Sequence, residues 1–211
     1  PPPPFFSSIR RHTRCAIKSR GLGDVYKRQD LQIIVRESFN PLTVNAGDAR
    51  VSGGELEVTW QASDDWAIDF STGHLDTKYL RLNQPAQDSG VRLENTLANS
   101  PAWSFAAGSD YRFGLGASGE MTLRVDWSWQ DSEFHDAVNS PQIRQDAFHL
   151  VQASLAYAPM DGPWQLTVAV RNLLDETYLV TGNSAFDTAA AYVEKVYGRP
   201  REVLAMFSYG F

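Results

Sequence analysis

With 211 residues, 43% of them hydrophobic and 12% aromatic, the chain is long enough for one domain with a sizeable apolar surface. The formal net charge of −6 hides an asymmetry: residues 1–29 hold seven Lys/Arg and one acid of the chain's 19 and 25, leaving 12 and 24, a net of −12, for residues 30–211. An acidic body excludes nucleic acid as a partner, the lone Cys15 excludes a disulfide framework or thiolate metal site, and no apolar run of about 18 residues supplies a transmembrane helix.

The first 15 residues, "PPPPFFSSIRRHTRC", show neither a helical nor a strand period. The next basic stretch, "SRGLGDVYKRQ" (Ser19–Gln29), has the composition of an interaction arm. It also back-translates, without a gap, into DNA that resembles the transposase-end adapter of sequencing libraries. Residues 1–29 are therefore expected to be a non-native, adapter-derived and disordered segment. On that reading the native chain starts at Asp30 as a piece of a longer gene.

From Asp30 onward the dominant signal is alternation with period two, the mark of strands with two unlike faces. "DLQIIVRES" opens the series, and "GGELEVTWQ" sets Leu56, Val58 and Trp60 against Glu55, Glu57 and Thr59. "DWAIDFSTGHL" aligns Trp66, Ile68 and Phe70, and "PAWSFAAGSDYRF" aligns Trp103, Phe105, Ala107, Tyr111 and Phe113. "EMTLRVDWSWQD" is the cleanest case, with Met121, Leu123, Val125, Trp127 and Trp129 opposed to Thr122, Arg124, Asp126, Ser128 and Gln130. "AFHLVQASLAYAP", "WQLTVAVRN" and a closing strand through Val203, Ala205, Phe207, Tyr209 and Phe211 complete about eight strands. Their length, near the roughly 9–11 residues that cross a bilayer at a tilt, exceeds the usual strand of a soluble sandwich.

The connections carry more information than the strands. "SDD" (Ser63–Asp65), "GLGASG" (Gly114–Gly119) and "MDGP" (Met160–Pro163) are tight turns. Long segments alternate with them: Phe39–Asp48, Leu80–Ser100, Asp131–Gln145 and Val180–Arg199. Trp66, Phe113, Tyr157, Trp164, Tyr209 and Phe211 all fall on the short-turn side, as an interfacial aromatic belt would. The pattern predicts an all-β fold, an antiparallel up-and-down transmembrane β-barrel fragment with short periplasmic turns and long extracellular loops. A soluble β-protein remains the alternative, since Glu55, Glu57, Asp69, Arg124, Asp126 and Arg171 suit either a water-filled lumen or open solvent.

Four stretches, in order, carry a family resemblance: "NAGDARVSGGELE" (Asn45–Glu57), "ANSPAWSF" (Ala98–Phe105), "VRNLLDETY" (Val170–Tyr178) and "GRPREVLAMFSYGF" (Gly198–Phe211). Together they resemble the C-terminal part of the barrel of a TonB-dependent receptor. The resemblance implies a bacterial outer-membrane location and a complete barrel of about 22 strands around an N-terminal plug that precedes Asp30. It further implies energy-coupled import of a scarce nutrient, most often a ferric siderophore, with cobalamin and oligosaccharides as other cargoes. The implied partners are outer-membrane lipid, the TonB energy-transducing complex acting through the plug, a small-molecule ligand, and the barrel-assembly machinery, which would read Phe207, Tyr209 and Phe211. The family-motif residues Arg171, Asn172, Leu173, Leu174, Asp175 and Tyr178 are expected to be structural. A passive porin, or a small structural or adhesive barrel of about eight strands, is the alternative within the outer membrane.

The remaining candidates are few. His74, His135 and His149 show no metal-ligand spacing, and no Ser/His/Asp arrangement reads as a hydrolase, so neither a cofactor nor an enzymatic activity is expected. "FDTAAAYVEKVYG" (Phe186–Gly198) reads as an irregular or partly helical loop, in which Phe186, Tyr192 and Tyr197 are candidates to stack on a ligand.

Overall fold

Alternating apolar and polar side chains leave a strand with one face for each environment, and its backbone must pair with neighbours on both sides. The computed structural model describes residues 16–37, 40–189 and 191–210. Eight long strands form one antiparallel sheet: β1 (Ala16–Glu37), β2 (Asn40–Ser63), β3 (Trp66–Leu82), β4 (Trp103–Gly114), β5 (Glu120–Gln130), β8 (Phe148–Ala158), β9 (Trp164–Arg171) and β12 (Glu202–Tyr209). They lie in that order, so every strand pairs with its predecessor and successor in the up-and-down manner. Between them come a short helix α1 (Gln84–Asp88) and two small hairpins, β6 (Glu133–Phe134) with β7 (Arg144–Gln145) and β10 (Leu179–Ser184) with β11 (Val193–Tyr197). Among the described residues β1 and β12 do not pair with each other, so the sheet is open.

Two stretches depart from the sequence reading. Residues 16–29, expected to be disordered, run as β1 beside β2, from Ala16 opposite Gln61 to Arg28 opposite Ala49. An open strand edge presents amides and carbonyls that any backbone can pair with, so no periodic side-chain pattern is needed. Residues 40–48, expected in a long connection, belong to β2 and pair with the upper part of β1. The two strands continue as a ribbon, with register shifts between Arg28 and Gln32, beyond the level where β4, β5 and β8 end. Phe39 lies outside the described residues.

The tight turns fall where Gly, Asp and Pro place them. At the β4–β5 turn Gly119 has φ +124°, and a Cβ there would lie 2.2 Å from the Ala158 carbonyl, so only glycine fits. All three short turns sit at one end of the sheet, and α1 and both small hairpins sit in the long connections at the other.

The apolar face is continuous. Phe105 lies opposite Trp129, Trp127 opposite Val151, Leu123 opposite Leu155, and Val168 opposite Ala205. Rings cluster at both margins of this face. Tyr157–Trp164 (5.6 Å) and Trp164–Phe207 (5.9 Å) mark the short-turn end, and His74–Trp103 (4.4 Å) and Phe105–Trp129 (5.6 Å) mark the other. From Trp103 to Phe113 the strand climbs roughly 34 Å, which a tilt of about 40° reduces to about 26 Å, the height of a bilayer's apolar band. This face is not covered: Trp66, Phe70, Trp103, Leu123, Val125, Trp127, Leu155, Val168 and Phe207 are all exposed. A soluble sandwich would bury the same residues, whereas here a face of this extent is left bare.

On the opposite, polar face Arg124 sits among three carboxylates. It donates to Asp126 through Nε (3.0 Å) and Nη2 (2.5 Å), to Asp69 (3.4 Å) and to Asp110. Gly108 makes the space, because a Cβ at that position would lie 2.6 Å from Arg124 Nη2 and from both Asp69 oxygens. Arg124→Gln leaves the three acids facing one another. Because these side chains are a third to a half exposed, water screening holds the expected loss to about 1–2 kcal/mol. Urea midpoints should show that loss shrinking in about 1 M salt and recovering in the double variant with Asp126→Asn. A salt-independent loss would mean that packing, not charge, holds the cluster.

The buried apolar residues lie at the long-loop end. Ala46 and Ala49 of β2, Tyr79 of β3, Ala86 of α1, Val91 and Ala137 form one cluster, with Leu31, Ile33, Val44 and Val138 against it. Tyr79 shares its side of β3 with Asp69 and Ser71, so this small core caps the polar face.

Candidate ligand site at the long-loop end

Two of the long connections fold into a single unit. Asn95 Nδ2 donates to the Ala137 carbonyl (2.9 Å), the Thr96 N–H to Asn139 Oδ1 (2.9 Å), and the Asn99 N–H to the Phe134 carbonyl (2.8 Å). Asn139 Nδ2 returns a bond to the Thr96 carbonyl at 3.0 Å. Asn99 and Asn139 hold φ at +52° and +61°, a region asparagine reaches more readily than other side-chain-bearing residues. His135 Nδ1–H donates to Asn99 Oδ1 at 2.8 Å. Asp136 accepts from the Ser140 N–H at 2.8 Å and from its hydroxyl, closing the turn that carries His135.

Between this unit, the upper part of β1 and the β10–β11 hairpin lies a cavity of about 650 Å³. Ile33, Leu97, Val138 and Phe186 supply apolar wall, and Asn99, His135, Asp136 and Asn183 supply polar groups. Burial, and then the charge of Asp136, raise the Tyr79 phenol above its ordinary pKa, so its hydroxyl stays protonated on this wall. Below the wall, burial pushes the Glu133 carboxyl up, against the pull of His135 and a hydrogen bond from Gln130 Nε2 (2.8 Å). A carboxyl whose pKa is raised by folding binds its proton more tightly in the folded state. The stability of this loop unit should therefore fall as pH rises from the ordinary carboxylate value through the raised one. Amide-exchange protection of residues 133–145, corrected for the intrinsic pH dependence of exchange, should fall over that range, and Glu133→Gln should remove the dependence.

The stacking candidates separate. Phe186 is exposed at the cavity wall, and Tyr197 lines a smaller, more charged pocket of about 300 Å³ beside Arg144, Glu176 and Lys195. Tyr192 is half-buried and lines neither. The segment expected to be irregular contains strand β11, because Val193–Tyr197 pairs with β10. Asn99, His135, Asp136 and Asn183 are the site residues that sequence reasoning missed. The only advance signal is the density of Asn, Asp and Ser in "NTLANS" and "HDAVNS", which marks turns without revealing that two of them interlock.

The family-motif residues build a joint away from the cavity. At the exit of β9, buried Asn172 (φ +47°) donates through Nδ2 to the carbonyls of Glu176 (2.8 Å) and Arg199 (3.0 Å) and accepts the Glu176 N–H at Oδ1 (2.8 Å). Asp175 accepts the Arg201 N–H (2.9 Å), the Leu173 N–H reaches the Val151 carbonyl (2.8 Å), and Arg171 lies 4.0 Å from Glu202. Tyr178 stacks on Phe148 at 4.8 Å, over Gly198, where a Cβ would lie 2.0 Å from its ring; Leu174 is exposed. On β12, Phe207 and Tyr209 stand on the apolar face opposite Leu166 and Trp164, and Phe211 lies outside the described residues. His74 and His149 join the upper aromatic margin, opposite Trp103 and Trp129, and the described residues contain no group of three or more metal-ligating side chains.

An antiparallel up-and-down sheet with a bare apolar band, aromatic margins, a polar inner face and loops folded over one end is a segment of outer-membrane β-barrel wall. A family model described as "TonB dependent receptor-like, beta-barrel" matches residues 23–173, so the chain belongs to that family, whose members are bacterial outer-membrane transporters and not enzymes. The match begins inside the segment with the adapter resemblance. Among solved structures, the ferric yersiniabactin uptake receptor FyuA of Yersinia pestis superposes with a TM-score of 0.73 at 18% identity, over 90% of this chain and 27% of that one. The copper transporter OprC gives 0.67 at 20% identity, over 92% and 29%, and the unliganded ferric citrate transporter FecA gives 0.62 at 19%, over 91% and 28%. At such identities the likeness concerns the fold, and the chain spans just over a quarter of each of these proteins. No curated protein matches the sequence.

Proposed function

We propose that the chain is the C-terminal barrel portion of a receptor that imports a scarce nutrient across the outer membrane, drawing energy from the TonB complex through a plug domain. One observation carries this reading: the connections after β3 and β5 lock together over the polar face and, with β1 and the β10–β11 hairpin, line a half-open cavity, as a capture site requires. A ferric siderophore is the proposed cargo, in keeping with the ferric-uptake receptors among the similar structures. Phe186 is proposed to touch that ligand, and the outward aromatics of β12 to be read by the barrel-assembly machinery. The exposed face from Trp66 to Phe207 is proposed to meet lipid. Residues 1–29 are proposed to derive from adapter sequence, and residues 16–29 among them to occupy an edge that the native barrel fills with its own strand.

The test is uptake by the complete receptor in cells lacking their own ferric receptors. Accumulation of radiolabelled ferric siderophore should stop when the proton-motive force is dissipated or the TonB protein is deleted. Entry that is indifferent to both treatments would point to a passive porin and overturn the reading.

A further inference from the structure

The cavity's charge selects among ligands, an inference that rests on the proposed reading of the long-loop end as a capture site. Its 21 described lining residues include no Lys and no Arg, whereas Asp136 and Asp187 contribute two carboxylates. Three arginines of the neighbouring described segments have partners of their own. Arg81 pairs with Asp48 (3.1 Å), Arg92 donates to the carbonyls of Gln87 and Val91 (3.1 Å each), and Arg144 pairs with Asp146 (3.3 Å). The polar face of β2–β5 carries Glu55 and Glu57, then Asp69, Asp110 and Asp126 around Arg124, with Arg112 and Glu120 at the turn end.

An anionic chelate entering this space would give up its hydration with no Lys or Arg on the described lining to replace it, only the His135 imidazole, beside two carboxylates. A volume of about 650 Å³ holds a ligand of several hundred daltons, and the mixed lining of Ile33, Leu97, Val138 and Phe186 with Asn99, Asn183 and the Tyr79 phenol suits an amphiphilic molecule rich in amide-type oxygens. We propose that the cavity takes a ligand without net negative charge, a neutral or cationic amphiphilic chelate, and disfavours polyanionic ones.

The experiment compares two iron complexes on the complete receptor purified in detergent: a neutral ferric trihydroxamate and a trianionic ferric tris-catecholate, each titrated by calorimetry. The neutral complex should bind at least about tenfold more tightly, the equivalent of about 1.4 kcal/mol. Asp187→Lys, at an exposed position on the cavity wall, and Ser184→Arg, on β10, should each narrow that ratio by roughly tenfold through the anionic complex alone. Equal or tighter binding of the trianion by the unaltered receptor overturns the proposal. So does failure of both complexes to bind, or a ratio that neither variant moves. The uptake assay separates the two readings: energy-dependent import of the trianion would sink the charge selection and leave the transport function standing. Loss of all energy-dependent uptake would sink the function itself.

Discussion

Val125→Arg is expected to destabilise the protein in a bilayer by about 2–4 kcal/mol, the cost of a guanidinium near the midplane on the lipid-facing side of a barrel. Val125 lies midway along β5, between Met121 at the short-turn end and Trp129 at the other, opposite Ser109 and Ala153 on its two neighbours. It is bare to its surroundings, so the penalty comes from the solvent and not from a crowded core. Gln152→Arg is the control. It stands on the polar face of the adjacent strand, opposite Asp126, and should change stability by less than about 0.5 kcal/mol. Urea unfolding in lipid vesicles, followed by tryptophan emission, measures both. Equal effects would mean that the two faces see the same solvent, and the membrane assignment of the apolar face would fall.

The second large effect belongs to Asn172. Alanine there removes three hydrogen bonds at a buried position and keeps a backbone at φ +47°, where a non-glycine residue without a polar side chain is strained. A loss of about 2–4 kcal/mol follows, at about 1 kcal/mol for each bond plus the strain. Asn172→Gly relieves the backbone but not the bonds, so it should recover part of the loss. If the glycine variant were as damaged as the alanine variant, the backbone would carry none of the effect. Faster tryptic cleavage after Arg201, two residues beyond the Arg199 carbonyl that Asn172 holds, should accompany the drop in unfolding midpoint.

Much of this was readable from residue order. In "EMTLRVDWSWQD" every second side chain is apolar, and a strand has no other way to satisfy that pattern than with two faces in two environments. The turns at Gly114–Gly119 and Met160–Pro163 were readable because glycine and proline act on the backbone directly, without help from distant residues. The same local logic failed at residues 16–29 and 40–48. There pairing is set by the free edge of a neighbouring strand, and an edge has no signature in the paired segment's own side chains. It failed again at Val193–Tyr197, where the hairpin partner β10 decides between strand and loop.

The candidate site was the least legible part. Phe186, Tyr192 and Tyr197 share one segment, yet the fold sends Phe186 to the cavity wall and Tyr197 to a separate, charged pocket. His135 and Asn99 lie 36 positions apart and meet only because two long connections bend over the polar face and exchange side-chain bonds. Local chemistry by itself determined the strands, their faces, the short turns and the apolar band, since each depends on a period or on one residue's own dihedral limits. Only the tertiary structure decided which loops interlock, where a cavity opens, and that its described lining holds no Lys or Arg, because those depend on contacts between residues that the sequence keeps far apart.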